Sequence, residues 1–140
     1  MRRLLALALA AAATPDEGYL FVTNRGDEAV ASARSLRRVA PHANITFVSD
    51  AATLRDVGPS LQVFDVVIRA EQVFPDLDVH DSQGFRLQKL RGGLASPYER
   101  TIFLDSDTRA CKDPGATLFP LLRNTDVACV WGGRGNHSGA

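Results

Sequence analysis

Thr101-Ile102-Phe103-Leu104-Asp105-Ser106-Asp107-Thr108 decides the fold. Apolar β-branched and aromatic residues run without alternation and then stop at two carboxylates. An unbroken apolar run of this length is the pattern of a strand buried on both faces, as in a parallel sheet. In open α/β sheets ligands bind outside the carboxyl ends of the strands, which is where the two aspartates would fall. Two anions side by side repel unless a cation or hydrogen bonds offset them. A hard divalent ion does so through carboxylate oxygens and can take a diphosphate on its other side. The plainer reading of the same residues is a strand end followed by an Asp/Ser turn. D-x-D alone does not choose between the two.

Upstream, residues 19–23, 45–48 and 64–68 are further apolar runs bounded by turn residues, and read as three strands. Between the first two, Ala29, Val30, Ala33 and Leu36 recur at helical spacing. Asp27 is the expected cap of that helix, Glu28 lies in its first turn and Pro41 follows its end. Asp50 is expected to cap a short helix over 51–57, broken by Gly58-Pro59. Residues 70–81 show no period and read as a surface loop. Ser82 or Gln83 opens a helix to about residue 95, with Phe85, Leu87, Leu90 and Leu94 toward the sheet and Gly92-Gly93 weakening its end. Downstream come a loop with Pro114-Gly115, an apolar segment at 118–122, a last strand at 127–131 and a Gly-rich tail. Strands alternating with helices give an α/β class with a mainly parallel sheet flanked by helices.

The chain has 140 residues, the size of one domain or part of one, with room for a core. Its 16 basic and 16 acidic residues cancel, so the charge footprint of a nucleic-acid binder is absent. Cys111 and Cys129 form neither a metal-ligand spacing nor a disulfide framework; a single bridge and two buried free thiols both fit. Met1-Arg2-Arg3, a Leu/Ala run over 4–13 and then Thr14-Pro15 have the shape of a secretory signal peptide. The expectation is a leader at 1–13, a domain at 14–140, and a Golgi-lumenal or secreted protein. The alternative is an Ala/Leu helix on a cytoplasmic protein. The run is shorter than the roughly 20 apolar residues of a transmembrane helix, so no transmembrane span is expected. The triplets Asn44-Ile45-Thr46 and Asn136-His137-Ser138 are compatible with glycosylation on a secretory route.

Several chemistries drop out. Thr23-Asn24-Arg25-Gly26-Asp27 contains no G-x-G-x-x-G, and no Walker loop occurs. Arg109 and Ala110 stand where an EF-hand needs an oxygen ligand and a glycine. His42, His80 and His137 fall in turns or loops and read as surface residues.

A longer pattern surrounds the aspartates. Phe85-Arg86-Leu87-Gln88-Lys89-Leu90, then Leu94-Ala95-Ser96-Pro97-Tyr98-Glu99-Arg100, then the quoted strand with Asp105-Ser106-Asp107-Thr108, then Leu118-Phe119, occur in one order. This order resembles glycosyltransferase family 8, the glycogenin-like enzymes with the GT-A nucleotide-sugar fold. In that family a K-L helix precedes a Y-x-[KR] turn, an apolar strand, D-x-D-T and a later L-F. Phe21-Val22-Thr23 also looks like its first strand, so the resemblance covers residues 19–131.

The resemblance implies a partial GT-A fold that holds a nucleotide-diphosphate sugar, a UDP-sugar foremost, through Mn2+ or Mg2+. Asp105 and Asp107 would bind the metal, Lys89 would reach the donor phosphate or sugar, and Thr23 and Asn24 would hold the nucleobase. Ser106 would meet the donor between the two carboxylates. Arg86, Arg91 and Arg100 would either add positive potential or be surface charge. The diphosphate is a highly charged leaving group, and metal and cation stabilisation is the main lever for its departure.

Members of that family carry acceptor residues and a late H-x-x-G-x-x-K segment beyond the last strand, and this chain stops at Ala140. It is therefore expected to be the donor-binding half of a sugar transferase acting on an unspecified acceptor, with weak transfer alone. The competing reading is a non-catalytic nucleotide-sugar-binding or structural domain. A haloacid-dehalogenase-type phosphatase ranks third, because its D-x-D lies on the first strand and its threonine one place later than Thr108.

Overall fold

A computed structural model describes residues 15–76, 89 and 91–125. Among these, four strands form one sheet: β1 (Glu17–Val22), β2 (Ile45–Ser49), β3 (Val66–Arg69) and β4 (Arg100–Phe103). Every pairing is parallel and the order is β3-β2-β1-β4. The flanking helices are α1 (Gly26–Val39), α2 (Ala51–Val57), α3 (Ala70–Val73) and α4 (Gly115–Leu121), with 3-10 turns at Gly58–Val63 and Gly92–Ala95. The α/β class with a parallel sheet is thus as the alternation of elements predicts. Strand order reverses between β1 and β4: the chain winds from β1 outward to β2 and β3, then returns to the other side of β1.

β1 and β2 are central, and their unbroken apolar runs follow from burial on both faces. Tyr19, Phe21, Ile45 and Phe47 point to one face, against Ala29, Ala33 and Leu36 of α1 and Phe119 of α4. Leu20, Val22 and Val48 point to the other, with Ala70 and Phe74. Phe64 precedes β3 instead of opening it. Its ring stacks on Phe47 at 4.7 Å and meets Phe21 edge-on at 6.2 Å, which is why it belongs to the core rather than the ladder.

Five further expectations need correction. Leu94 does not face the sheet: it is 85 % exposed in the 3-10 turn Gly92–Ala95. Asp27 does not cap α1: Arg25 holds that position without a side-chain capping bond, and Asp27 and Glu28 serve the first turn. Residues 70–76 are not simply loop, because Ala70 and Phe74 bury themselves against the sheet and draw the chain into a helical turn. β4 is less buried than its sequence suggests: Ile102 is in the core, but Phe103 is 40 % exposed, since β4 has one neighbour among the described residues. Cys111 is exposed, not buried.

Asp50 does cap α2, accepting from Thr53 N at 2.9 Å and Thr53 Oγ1 at 2.7 Å. Asn44 Nδ2 donates to Glu17 O at 3.0 Å and Thr46 is fully buried, so the first sequon serves the sheet in the folded chain. The leader, the helix over 82–88, the strand at 127–131, Cys129, His80, His137 and the second sequon lie outside the described residues. Within the described residues, no helix is long and apolar enough to cross a membrane.

Candidate functional site at the C-terminal edge of the sheet

β1 and β4 run side by side in register, Tyr19 with Ile102 and Leu20 with Phe103, and Leu104 N extends the ladder to Leu20 O at 3.0 Å. The residues that leave the two strands therefore emerge together. Thr23-Asn24 follows β1 and Asp105-Ser106-Asp107 follows β4. This is the point of order reversal, where an open α/β sheet leaves a crevice for ligand.

The two carboxylates and the serine between them face opposite ways. Asp105 and Asp107 are exposed, while Ser106 is buried at 7 % exposure. Ser106 Oγ donates to Glu28 Oε2 at 3.1 Å and accepts from Thr23 Oγ1 at 3.4 Å. Thr23 Oγ1 in turn accepts from Arg25 N at 3.0 Å, and Arg25 Nη1 reaches Glu28 Oε1 at 3.2 Å. A closed ring of polar contacts thus ties the turn after β1, the first turn of α1 and the D-x-D loop.

The far side of the loop is fastened to the same helix. Thr108 Oγ1 donates to Asp105 O at 2.6 Å and hydrogen-bonds Ser32 Oγ at 3.1 Å. Ser35 Oγ accepts from Ala110 N at 2.9 Å and donates to Ser32 O at 2.7 Å. Arg109 curls back onto the carbonyls of Ser106 and Thr108. Ser49 Oγ donates to Thr23 O at 2.6 Å, which fixes the β1 end from the β2 side.

Lys89 joins the site: its ammonium pairs with Asp105 Oδ1. The other described members of its basic group do not. Arg91 pairs with Asp76, whose carboxyl that hydrogen bond holds below the ordinary range. Arg100 opens β4, so it lies at the opposite end of the strand from Asp105, paired with Glu17. Arg86 is outside the described residues.

The structure therefore brings together Thr23, Lys89, Asp105, Ser106 and Asp107, with Asn24 at the same edge. Glu28 was visible in the sequence only as a first-turn acid; Ser32 and Ser35 were not singled out. Their signal was two hydroxyls three residues apart, amid Ala29, Ala33 and Leu36. A polar pair at that spacing on a buried helical stripe needs a partner.

Asp105 and Asp107 present exposed carboxylate oxygens at a ligand edge, the donor type that hard divalent ions take. Lys89 offsets part of their charge. No cluster of three or more His, Cys, Asp or Glu gathers as a metal-holding group among the described residues. Ligand oxygens or residues outside that set would complete a coordination sphere. No protein-family model, curated protein or solved structure matches the chain.

Proposed function

We propose that this domain binds a nucleotide-diphosphate sugar, a UDP-sugar foremost, with Mn2+ or Mg2+ held by Asp105 and Asp107, and serves sugar transfer to an acceptor. The observation that carries this reading is the emergence of the D-x-D carboxylates beside Thr23 at the sheet's order reversal. The resemblance to family 8 glycosyltransferases supplies the ligand class.

The ion, when bound, would neutralise charge developing on the diphosphate leaving group. The chain's own residues do the rest. Lys89 brings a positive charge beside Asp105, where a phosphate would approach. The buried hydroxyls of Thr23 and Ser106 fix the two strand ends relative to each other. Asn24 is exposed where a base would approach.

Calorimetry of UDP and several UDP-sugars, with and without manganese, tests the reading. Manganese should tighten binding, and Asp107→Asn should remove the metal-dependent part. A metal effect that survives Asp107→Asn refutes the assignment. Binding without transfer to any acceptor in a radiolabelled-sugar assay would leave donor binding and remove the enzymatic reading.

A further inference from the structure

Asp105 and Asp107 are exposed, so packing alone does not fix their direction. The residue between them does. Ser106 is the buried member of the triplet, and its hydroxyl spans Thr23 and Glu28. Residues 105–108 form a turn closed by Thr108 N donating to Asp105 O at 3.1 Å, so holding Ser106 inward fixes the turn on which both carboxylates are mounted. Building on the donor-binding reading above, we propose that Glu28 is a positioning residue for the D-x-D loop, acting through the Ser106 hydroxyl.

Three observations support it. Glu28 is anchored on its other oxygen by Arg25, so the acceptor that meets Ser106 is itself held. Glu28 stands in the first turn of the 14-residue helix α1, whose buried face fixes it on the sheet. The Thr108–Ser32 and Ala110–Ser35 contacts fasten the loop's other end to that same helix. The loop thus hangs from α1 at both ends, with Glu28 the acceptor for the buried Ser106 hydroxyl. Glu28 does not touch the ligand in this arrangement. Its carboxylate is occupied by Ser106 and Arg25, which separates it from Asp105 and Asp107 in role.

Removing the contact lets Ser106 rotate and the two carboxylates diverge. Leaving the buried Ser106 hydroxyl without its acceptor predicts roughly tenfold weaker metal binding. Glu28→Gln keeps an acceptor oxygen for Ser106 and loses only an exposed ion pair, so it should stay within about twofold of wild type.

The test is Mn2+ titration of the full chain by electron paramagnetic resonance in the presence of UDP, with a thermal melt of each variant. Glu28→Ala and Ser106→Ala should each weaken Mn2+ binding about tenfold. The double variant should be no worse than either, because both remove one contact. Glu28→Gln should rescue. Equal Mn2+ affinity in wild type and Glu28→Ala, or additive losses in the double variant, overturns the inference while leaving the metal site standing. Absence of Mn2+ binding in wild type overturns the donor-binding reading and this inference with it. Should Ser106→Ala fail to fold, the half-exposed position 28 decides alone: Glu28→Gln as weak as Glu28→Ala means the charge, not the positioning bond, matters, and the inference is wrong.

Discussion

Gly18→Ala tests the account of how β1 meets its neighbours. Gly18 pairs with Thr101 in the sheet, and its backbone is not in the left-handed region, so conformational freedom is not the reason for glycine. Space is. A Cβ there would lie 2.3 Å from Tyr98 Cε2 and 2.4 Å from Cδ2 and Cζ. Carbon atoms rest at about 3.5–4.0 Å, so the ring would have to shift by roughly 1 Å. Tyr98 is buried, and its hydroxyl accepts from Thr46 Oγ1 at 2.8 Å in the middle of the sheet. A shift of that size takes the pair beyond hydrogen-bond range. Overpacking costs about 1–3 kcal/mol, and leaving the buried Thr46 hydroxyl unsatisfied costs about 1–3 kcal/mol more. The reduced freedom of the unfolded chain returns about 0.5–1 kcal/mol. The net expectation is about 3 kcal/mol, or a melting temperature lower by about 10 °C for a domain of this size. Thermal and urea unfolding measure it. In a Tyr98→Ala background the clash is gone, and Gly18→Ala should add almost nothing. A change under 2 °C in the wild-type background, or additive losses in the double variant, refutes the steric argument.

Asp50→Ala should cost about 1 kcal/mol at neutral pH through loss of the α2 cap. Burial works against the Asp50 charge, but the Thr53 backbone and side-chain bonds outweigh it and hold its carboxyl below the ordinary range. A lowered folded pKa means the contribution is complete above the ordinary value near 4 and fades as pH falls through the folded value. Urea melts of both proteins at pH 7 and in acid should therefore converge in acid; an undiminished difference there rejects the cap. Arg37→Met should destabilise by about 2 kcal/mol, since the guanidinium joins α1 to Val63 O at 3.2 Å, to Ala43 O at 2.5 Å and to Asp65 at 2.6 Å, and the two part-buried carbonyls lose their donor. Asp65 also accepts from Ile45 N at 2.7 Å, so amide hydrogen exchange at Ile45 should quicken; unchanged exchange there rejects the coupling.

The sheet was legible because its central strands are buried on both faces, which writes itself as unbroken apolar runs in residues 19–22 and 45–48. Strands with one neighbour among the described residues were less legible: Val66 and Val67 of β3 and Phe103 of β4 are apolar yet exposed, so the same run overstated their burial. Asp50 was legible as a cap because Thr53 follows at the right spacing; Asp27 was not, because the chain enters α1 through Gly26, which packs against Val57. The site divides the same way. Asp105, Asp107, Lys89 and Thr23 are marked by residue type and order. Glu28, Ser32 and Ser35 act through contacts 75 to 78 residues away in sequence, and no local pattern names the partner of a hydroxyl at that distance.

That division has a physical logic. Asp105 and Asp107 stay solvated, because burying an unpaired charge is prohibitive. Packing therefore does not position them: Lys89 pairs with Asp105, and the loop that carries both is held by the polar contacts around them. Ser106, Thr108 and Ala110 reach α1 through hydroxyls and one backbone N–H, groups that can be buried at modest cost once paired. The helix can offer those partners only by lying close. Ala29, Ser32, Ala33 and Ser35 are all small and all buried, so α1 approaches the sheet and the loop together. A larger side chain at Ala29 or Ala33 would lift the helix by a methyl's width, enough to break hydrogen bonds of about 3 Å. The placing of the loop that carries two exposed aspartates therefore depends on small residues of a buried helix face that touches neither carboxylate.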